Sequence, residues 1–452
     1  MEYRIERDSL GEVKVDASKF WGAQTERSKF YFNIGEDNMP LDVIYGLVQI
    51  KKAAAIVNHQ MGRLPREAKE TIVSVCDDIL KGTWDDQFPL KVYQTGSGTQ
   101  SNMNTNEVIA HLANQKGKDI HPNDHVNMSQ SSNDTFPTAM HIAAYTAIKH
   151  ELIPELEKWL ALLKEMEEKY QKVIKIGRTH LQDATPLTFG QEVSGWRTMI
   201  EKSLTFINES SQSLRYLTIG GTAVGTGLNA PENFDLAMVA QLSELTELDF
   251  IVEKNKYYGL TSHSALSYTH GALRALAGDV MKIANDIRWL AGGPRAGLGE
   301  ISLPENEPGS SIMPGKINPT QAEALTMVAV QVMGNDTTIQ IASSQGNFEL
   351  NVFKPVIIHN FLQSVTLLSA AMLSFRKHCL AGIKVNRDMM AEGVEKSLML
   401  VTALSPHIGY DNSAKVAKFA YQNHLTLKEA VQQLGYATAE EYDQWVVPEK
   451  MV

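Results

Sequence analysis

From about residue 40 onward, apolar residues recur at three- and four-residue steps in long windows, the period of a helix with one buried face. One window runs from about 137 to 172, with Leu156, Leu160, Leu163 and Met166 on one stripe. Another runs from about 264 to 290 through Leu273, Leu276, Val280, Ile283, Ile287 and Leu290, and stops at Gly292-Gly293-Pro294. Similar windows cover about 188–217, 320–345 and 353–377. At the helical rise, the second window alone is roughly 40 Å long. Five such helices with wide apolar faces predict a helical bundle. Their apolar surface exceeds what one bundle needs, which predicts oligomerisation. Alternation of period two is confined to Tyr3–Glu6 and Val13–Val15, a small β-hairpin. Near the other end, Thr426 with Glu429 and Thr438 with Glu441 have capping-box spacing and mark a small helical unit.

Composition narrows the class of function. The 452 residues carry 42 Lys and Arg against 52 Asp and Glu, a net charge of −10. A field of that sign disfavours nucleic acid and anionic membrane as partners. It also sets a condition: an anionic ligand must be attracted by local groups. Two cysteines, Cys76 and Cys379, exclude a disulfide scaffold, a zinc-finger array and a Cys-ligated iron–sulfur cluster, and suit a reducing compartment. The opening residues are too charged for a signal peptide. The longest apolar run, Val356–Leu373, is interrupted by His359, Asn360, Gln363 and Ser364. A soluble, intracellular protein is expected. The 13 histidines are scattered, no H-E-x-x-H occurs, and no metal site is expected.

Two glycine-rich stretches are decoys. Gly225–Ala230 matches the dinucleotide fingerprint by letter but follows a helical segment, with no βαβ pattern around it. Gly309–Lys316 resembles a phosphate loop with one residue too many, and Ile317 replaces the required Ser or Thr. Four other features are more informative: Thr95–Asn104, Ser129–Thr135, Gly177–Pro186 and Gly309–Thr320. Each is small and polar, and each leads into a helical pattern. A helix start offers unpaired N–H groups and partial positive charge, which suit a carboxylate. Ordinary N-capping accounts for any one of them. Four in one chain, two carrying His180 and Lys316, point to a site for a small anion. In the fourth, Pro319 fits the first helical position and Asn318 its cap. His180 is the best acid/base candidate by type, although a lone His after Arg-Thr is more often structural. Glu323 reads either as an acid favoured by the helix dipole or as a partner that raises the basicity of a histidine.

Gly309-Ser310-Ser311-Ile312-Met313-Pro314-Gly315-Lys316-Ile317-Asn318-Pro319 resembles the signature of the fumarase/aspartase superfamily, and the other three segments resemble its remaining motifs in the same order. The resemblance runs almost the whole length and is greatest to the class II fumarate hydratases. The alternative is the aspartate ammonia-lyases, which typically carry Gln where His180 stands and Ala where Gly315 stands. The resemblance implies an all-α chain in three domains: 1–130, a central five-helix bundle at 131–387, and a small helical domain at 388–452. It implies a cytoplasmic homotetramer of the tricarboxylic acid cycle, with each active site built from three chains. It also implies reversible trans hydration of fumarate to (S)-malate with neither metal nor cofactor.

By the same resemblance, Ser310 removes the C3 proton and His180, oriented by Glu323, protonates the departing hydroxyl. Ser97, Gly98, Thr99, Ser131, Ser132, Asn133, Thr179, Ser311, Lys316 and Asn318 bind the small dicarboxylate. A second, peripheral anion site is implied around His121, Pro122, Asn123 and Asp124. Relatives often have Arg where this chain has Lys118, and Lys lacks the bidentate fork.

Overall fold

The computed structural model describes residues 2–452. Helices make up 63% of the protein, and strands occur only in two-stranded pairs, so the fold is all-α. The alternating segments near the start form the antiparallel hairpin β1 (Tyr3–Asp8) and β2 (Gly11–Asp16). Helices α1 (Ala23–Tyr31), α2 (Leu41–Gln60), α3 (Arg66–Leu80), α4 (Thr99–Gln115) and α5 (Ser132–Ala147) follow. A single π turn, Ile148–Leu152, carries α5 into α6 (Ile153–Tyr170). Next come the hairpin β3 (Ile174–Thr179) and β4 (Gln182–Thr188), then α7 (Phe189–Ser211). Strand β5 (Tyr216–Leu217), α8 (Phe234–Thr246), β6 (Ile251–Val252) and α9 (Lys256–Thr261) precede the long α10 (Ser264–Leu290). After β7 (Ile301–Ser302) come α11 (Thr320–Ser343) and α12 (Lys354–His378). Strand β8 (Lys384–Val385) and the short helices α13 (Arg387–Lys396), α14 (Ser405–Ile408), α15 (Tyr410–Asn423), α16 (Leu427–Gln433) and α17 (Ala439–Trp445) complete the described chain.

The five periodic windows thus correspond to α5–α6, α7, α10, α11 and α12. The run around α12 is, over Lys354–Gly382, long and apolar enough to cross a membrane by length and composition. Its Ile357, Ile358, Phe361, Leu368 and Phe375 are nevertheless buried inside the protein.

The chain divides into two compact units. One takes the residues up to Pro154, Leu204–Ala277 and Val330–Ser369; the other takes Glu155–Ser203, Gly278–Ala329 and Ala370–Val452. In the first unit, α2 is apolar on nearly every side and packs against α3, α5 and α8. Gly46 lets α5 approach, because a Cβ there would stand 3.0 Å from the Ala139 carbonyl oxygen. The same unit holds a buried polar relay. His270 Nδ1 pairs with Asp336 Oδ1 and His270 Nε2 with Ser364 Oγ, each at 2.8 Å. Arg274 donates to the other Asp336 oxygen at 2.8 Å. The order Ser–His–Asp is that of a hydrolase triad, but His270 and Ser364 are fully buried and Ser364 donates its proton to the Asn360 carbonyl. No substrate reaches it, and its effect is to fix how these helices register.

In the second unit, Trp159 stacks on Phe375 and donates its indole N–H to the Met372 carbonyl at 2.9 Å. Glu155 accepts from Arg376 at 2.5 Å. The C-terminal helices close over Leu404, Val416, Leu427 and Val431, and Ile176 of β3 joins that cluster. Both expected capping boxes are present, at Thr426 with Glu429 and Thr438 with Glu441.

Burial pushes the Asp336 carboxyl upward, but His270 and Arg274 more than offset it, so it titrates below its usual range. A depressed carboxylate contributes stability above its unfolded pKa and loses it as pH falls through the folded one. Asp336→Asn is therefore expected to lower the thermal midpoint at pH 7. It should also shrink the stability loss on acidification below about pH 4. Differential scanning calorimetry across that range checks both; an unchanged midpoint at pH 7 counts against the relay.

Candidate active site

In the first unit, the segment 95–104 is a tight turn into α4. Gly98 caps the helix with φ 77°, and a Cβ there would meet the Phe136 ring at 2.2 Å. Gly96 is equally constrained, since its Cβ would fall 1.4 Å from the Val352 carbonyl oxygen. The turn is held by Gln100 Oε1, which accepts from the Thr95 N–H at 2.7 Å, and by Gln94 Oε1, which accepts from Ser101. Ser97 and Thr99 share a hydroxyl–hydroxyl bond of 2.8 Å.

Ser131 caps α5 in a complete capping box with Asp134. The other Asp134 oxygen accepts from the Gly220 and Thr222 N–H groups at 2.8 and 3.0 Å. Burial raises the Asp134 pKa against the opposing pull of these backbone donors. Asn133 donates to the Ala223 carbonyl at 2.8 Å. Thr99, Ser131, Ser132 and Asn133 line one cavity of about 850 Å³, together with Arg63, Asn123, Asp124 and Asn229. Arg63 bonds Ser129 Oγ and the Asn229 carbonyl, so it is a cation set among those hydroxyls and amides.

In loop 218–233, the stretch Gly225–Ala230 reads as a dinucleotide decoy from sequence because it follows a helical segment with no βαβ pattern around it. The structure corrects that reason: β5 and β6 are a parallel pair on either side of α8. The strands are two residues long, and α8 begins at Phe234, well past Gly227, so the glycines do not lead a phosphate onto the helix start. The loop instead lends Thr222, Ala223 and Asn229 to the cavity wall.

In the second unit, Gly177–Pro186 is not a loop leading into a helix but the hairpin β3–β4; α7 starts only at Phe189. His180 and Leu181 are its two turn residues, with φ 56° and 60°. Positive φ at both positions is a type I′ turn, which normally selects Asn-Gly; His-Leu carries no such signal, so the alternation was passed over. A leucine held in this region marks local strain. Thr179 and His180 are exposed at the tip. The hairpin is anchored at its root: buried Lys175 pairs with Glu192 at 3.0 Å and Glu300 at 3.1 Å, and Arg178 reaches Glu300 at 2.7 Å.

The segment 309–319 is a loop closed on itself. Gly309 N–H donates to the Lys316 carbonyl at 2.8 Å, and Asn318 Nδ2 to the Gly309 carbonyl at 2.6 Å. Asn318 therefore does not cap α11; its side chain ties the loop base, and Oδ1 accepts from Lys316 Nζ at 2.6 Å. The Pro319 carbonyl accepts the first helical bonds instead. Ser310 Oγ accepts from the N–H groups of Ile312 and Met313 at 3.2 and 2.9 Å. Ser311 stands exposed beside it.

Among the described residues, neither the His180 nor the Glu323 side chain makes a hydrogen bond within the chain. Among the described residues, no group of three or more His, Cys, Asp or Glu is placed to hold a metal ion. Of the peripheral set, Lys118 pairs with Glu67 at 3.0 Å. His121 Nδ1 accepts from the Asn123 and Asp124 N–H groups at 3.3 and 3.1 Å. His121 and Pro122 line a separate cavity of about 490 Å³, with Asn123 on the wall of both. Sequence reasoning missed Arg63, which belongs to no motif, and Asn229, which lies in the stretch read as a dinucleotide decoy; both line the cavity only through the fold.

Residues 11–334 match the lyase family, and residues 400–452 match the family described as fumarase C C-terminus. The chain is 58% identical over 458 residues to a fumarate hydratase class II of Bacillus subtilis, covering 100% of this chain and 99% of that one. It is 59% identical over 451 residues to a Listeria monocytogenes protein of the same name, covering 99% of each. A crystal structure of a class II fumarase from Schistosoma mansoni superimposes with a TM-score of 0.97 at 42% identity, covering 100% of this chain and 99% of that one.

The first segment depends on Gly98. Gly98→Ala should destabilise the protein by about 1–3 kcal/mol, as overpacking against Phe136 and an unfavourable φ combine. Thermal unfolding checks this; a midpoint equal to wild type means that the turn tolerates a Cβ there.

Proposed function

From a chain that belongs to the class II fumarate hydratase family, we infer a fumarate hydratase that interconverts fumarate and (S)-malate by trans addition and removal of water. The C3 proton of malate is weakly acidic, and its removal puts a second negative charge on the neighbouring carboxylate. Fixed donors must concentrate there. Lys316, Asn318 and the start of α11 supply them, and Ser310 is the base. A serine hydroxyl is a poor base at its usual pKa. The observation that carries the reading is the pair of backbone N–H groups already aimed at Ser310 Oγ, which stabilise its alkoxide. His180 protonates the departing hydroxyl through a water, with Glu323 raising its basicity. Thr179 and Ser311 join Ser97, Gly98, Thr99, Ser131, Ser132 and Asn133 in binding the dicarboxylate.

The unpaired His180 and Glu323 side chains, the exposed hairpin tip and the exposed 310–317 loop suit a site completed by other copies. We read the protein as a homotetramer with each site drawn from three chains. Helix α11 fits this, with apolar residues on more than one face: Leu325, Ala329, Val332 and Ile339 are buried, while Met327, Val330 and Ile341 are exposed. The division at 1–130, 131–387 and 388–452 is kept as the functional one. The reading includes a metal-free reaction, a cytoplasmic setting and a place in the tricarboxylic acid cycle. The peripheral anion site is proposed in a weakened form, since Lys118 already pairs with Glu67. The aspartate ammonia-lyase alternative is not favoured by the named relatives.

Purified protein should consume fumarate, seen as falling ultraviolet absorbance, and release no ammonia from aspartate; the opposite pattern overturns the reaction. Ser310→Ala and His180→Asn should each lower kcat by about 10²-fold or more. A near-normal kcat in Ser310→Ala would mean that another group is the base.

The shared site has its own test. If His180 and Ser310 of one site come from different chains, His180→Asn and Ser310→Ala subunits unfolded and reassembled together should recover roughly a quarter of wild-type activity, one half times one half for equivalent sites in a closed oligomer. Mixing intact parents should recover none. Hybrids of verified mixed composition that stay inactive mean that both groups of a site belong to one chain.

A further inference from the structure

Lys51 lies in the middle of α2 and is fully buried. Its Nζ has no carboxylate within ion-pair distance; it donates to Asn127 Oδ1 and Gln130 Oε1, both at 2.9 Å. An unpaired buried lysine costs stability that a methionine of similar length would not. Its partners explain its presence better than packing does. In its charged form lysine carries donors only, so what faces it must be an acceptor oxygen. That fixes which way the Asn127 amide points. Asn127 Oδ1 also accepts from Asn102 Nδ2 and Asn106 Nδ2, each at 3.2 Å. The Asn102 amide is thereby oriented in turn, and the same Nδ2 donates to Ser132 Oγ at 2.9 Å.

We propose that Lys51 is a positioning residue for the carboxylate site: through Asn127 and Asn102 it occupies Ser132 Oγ with a donor from behind, so that Ser132 presents its proton to the ligand. This rests on the reading of Ser132 as a substrate binder. Without Lys51, the Asn127 amide is held only by its own bond to the Gln130 carbonyl and by the Asn106 amide, and its NH₂ can then turn toward Asn102 at the cost of those two weaker bonds. Asn102 then turns its carbonyl toward Ser132, and the hydroxyl donates inward. The cavity is left facing a carboxylate with lone pairs. Burial brings the Lys51 amine down to about 7; both of its protonation states keep at least two protons, so both bonds survive across neutral pH. Gln130 and Asn127 also bond back into their own loop, through the Val126, Met128 and Gln130 carbonyls, and the chain of orientations has no slack at its root.

The test uses the full-length assembled enzyme, with succinate as a non-reacting dicarboxylate measured by calorimetry and fumarate measured by rate. Lys51→Met should weaken succinate binding by about tenfold to a hundredfold, the loss of one charge-assisted hydrogen bond. KM for fumarate should rise in step while kcat changes far less. Ser132→Ala should show a similar loss, and the double variant should be no worse than Ser132→Ala alone, because Lys51 acts through that hydroxyl. Asn102→Asp is nearly isosteric and sets only acceptors against Ser132; it should reproduce the loss, and it decides the matter if Lys51→Met does not fold. Lys51→Met within twofold of wild type, or losses that add in the double variant, overturn the assignment. Wild-type protein that neither binds succinate nor hydrates fumarate instead sinks the functional reading, and this inference with it.

Discussion

A hydroxyl or amide that meets an anion must present hydrogen, and its lone pairs must therefore be occupied from behind. On the proposed reading this polarity constraint organises the site, because the net charge of −10 works against an anionic ligand. Ser310 meets it with two backbone N–H groups on Oγ. Ser132 meets it with the Asn102 amide, and Ser131 with the Asn133 N–H. Asn318 meets it differently, turning its oxygen to Lys316 and its nitrogen to the Gly309 carbonyl. The three serine arrangements use neutral dipoles rather than mobile charges. Such dipoles need no reorganisation as negative charge grows on the bound carboxylate.

The constraint propagates into the core. Helix α4 buries Ser101, Asn102, Asn104, Thr105 and Asn106, a polar face where packing alone favours leucine and alanine. Asn127 Oδ1 collects three donors, two of them from that face. Burying so many amides is costly, most of all at Asn104 and Asn106, whose side-chain oxygens are unbonded, and the bonds that are made fix one arrangement in return. The long apolar helices offset that cost. In the first unit α2 presents apolar residues around nearly its whole circumference, yet places one lysine where the amides converge.

The long helices were legible because their period survives over many turns, and α10 ends where Gly292 and Gly293 say it should. The capping boxes of α16 and α17 were legible because Thr and Glu at that spacing have few other uses. The hairpin β3–β4 was not, since its turn is His-Leu, a pair that carries no signal for positive φ. Asn318 looked like a cap because Asn before Pro usually is one, whereas its side chain is needed to tie the loop. The parallel pair β5–β6 is too short to leave a pattern. The proposed site residues divide in the same way: those in motifs can be read from the sequence, while Arg63 and Lys51 come in only through contacts distant in sequence.

The hairpin shows why function obscured the local pattern. A type I′ turn is most stable with Asn-Gly, yet His180 and Leu181 hold positive φ at its tip. That placement is sustained from below, where Lys175, Arg178, Glu192 and Glu300 join their charges and Ile176 packs into the C-terminal cluster. Breaking one member of a buried ion group strands the others, so the root resists change more than the tip does. A rigid root under an exposed tip is what a residue needs if it is to serve a site beyond its own surroundings. The 309–319 loop repeats the scheme, with Gly309, Lys316 and Asn318 bonded at its base and Ser310 beyond it. In both cases the reactive group is left without a side-chain partner of its own while everything beneath it is fixed. On the proposed reading, the missing partners are the substrate and the neighbouring chains, and the local strain at the tip is the cost of holding the imidazole ready for them.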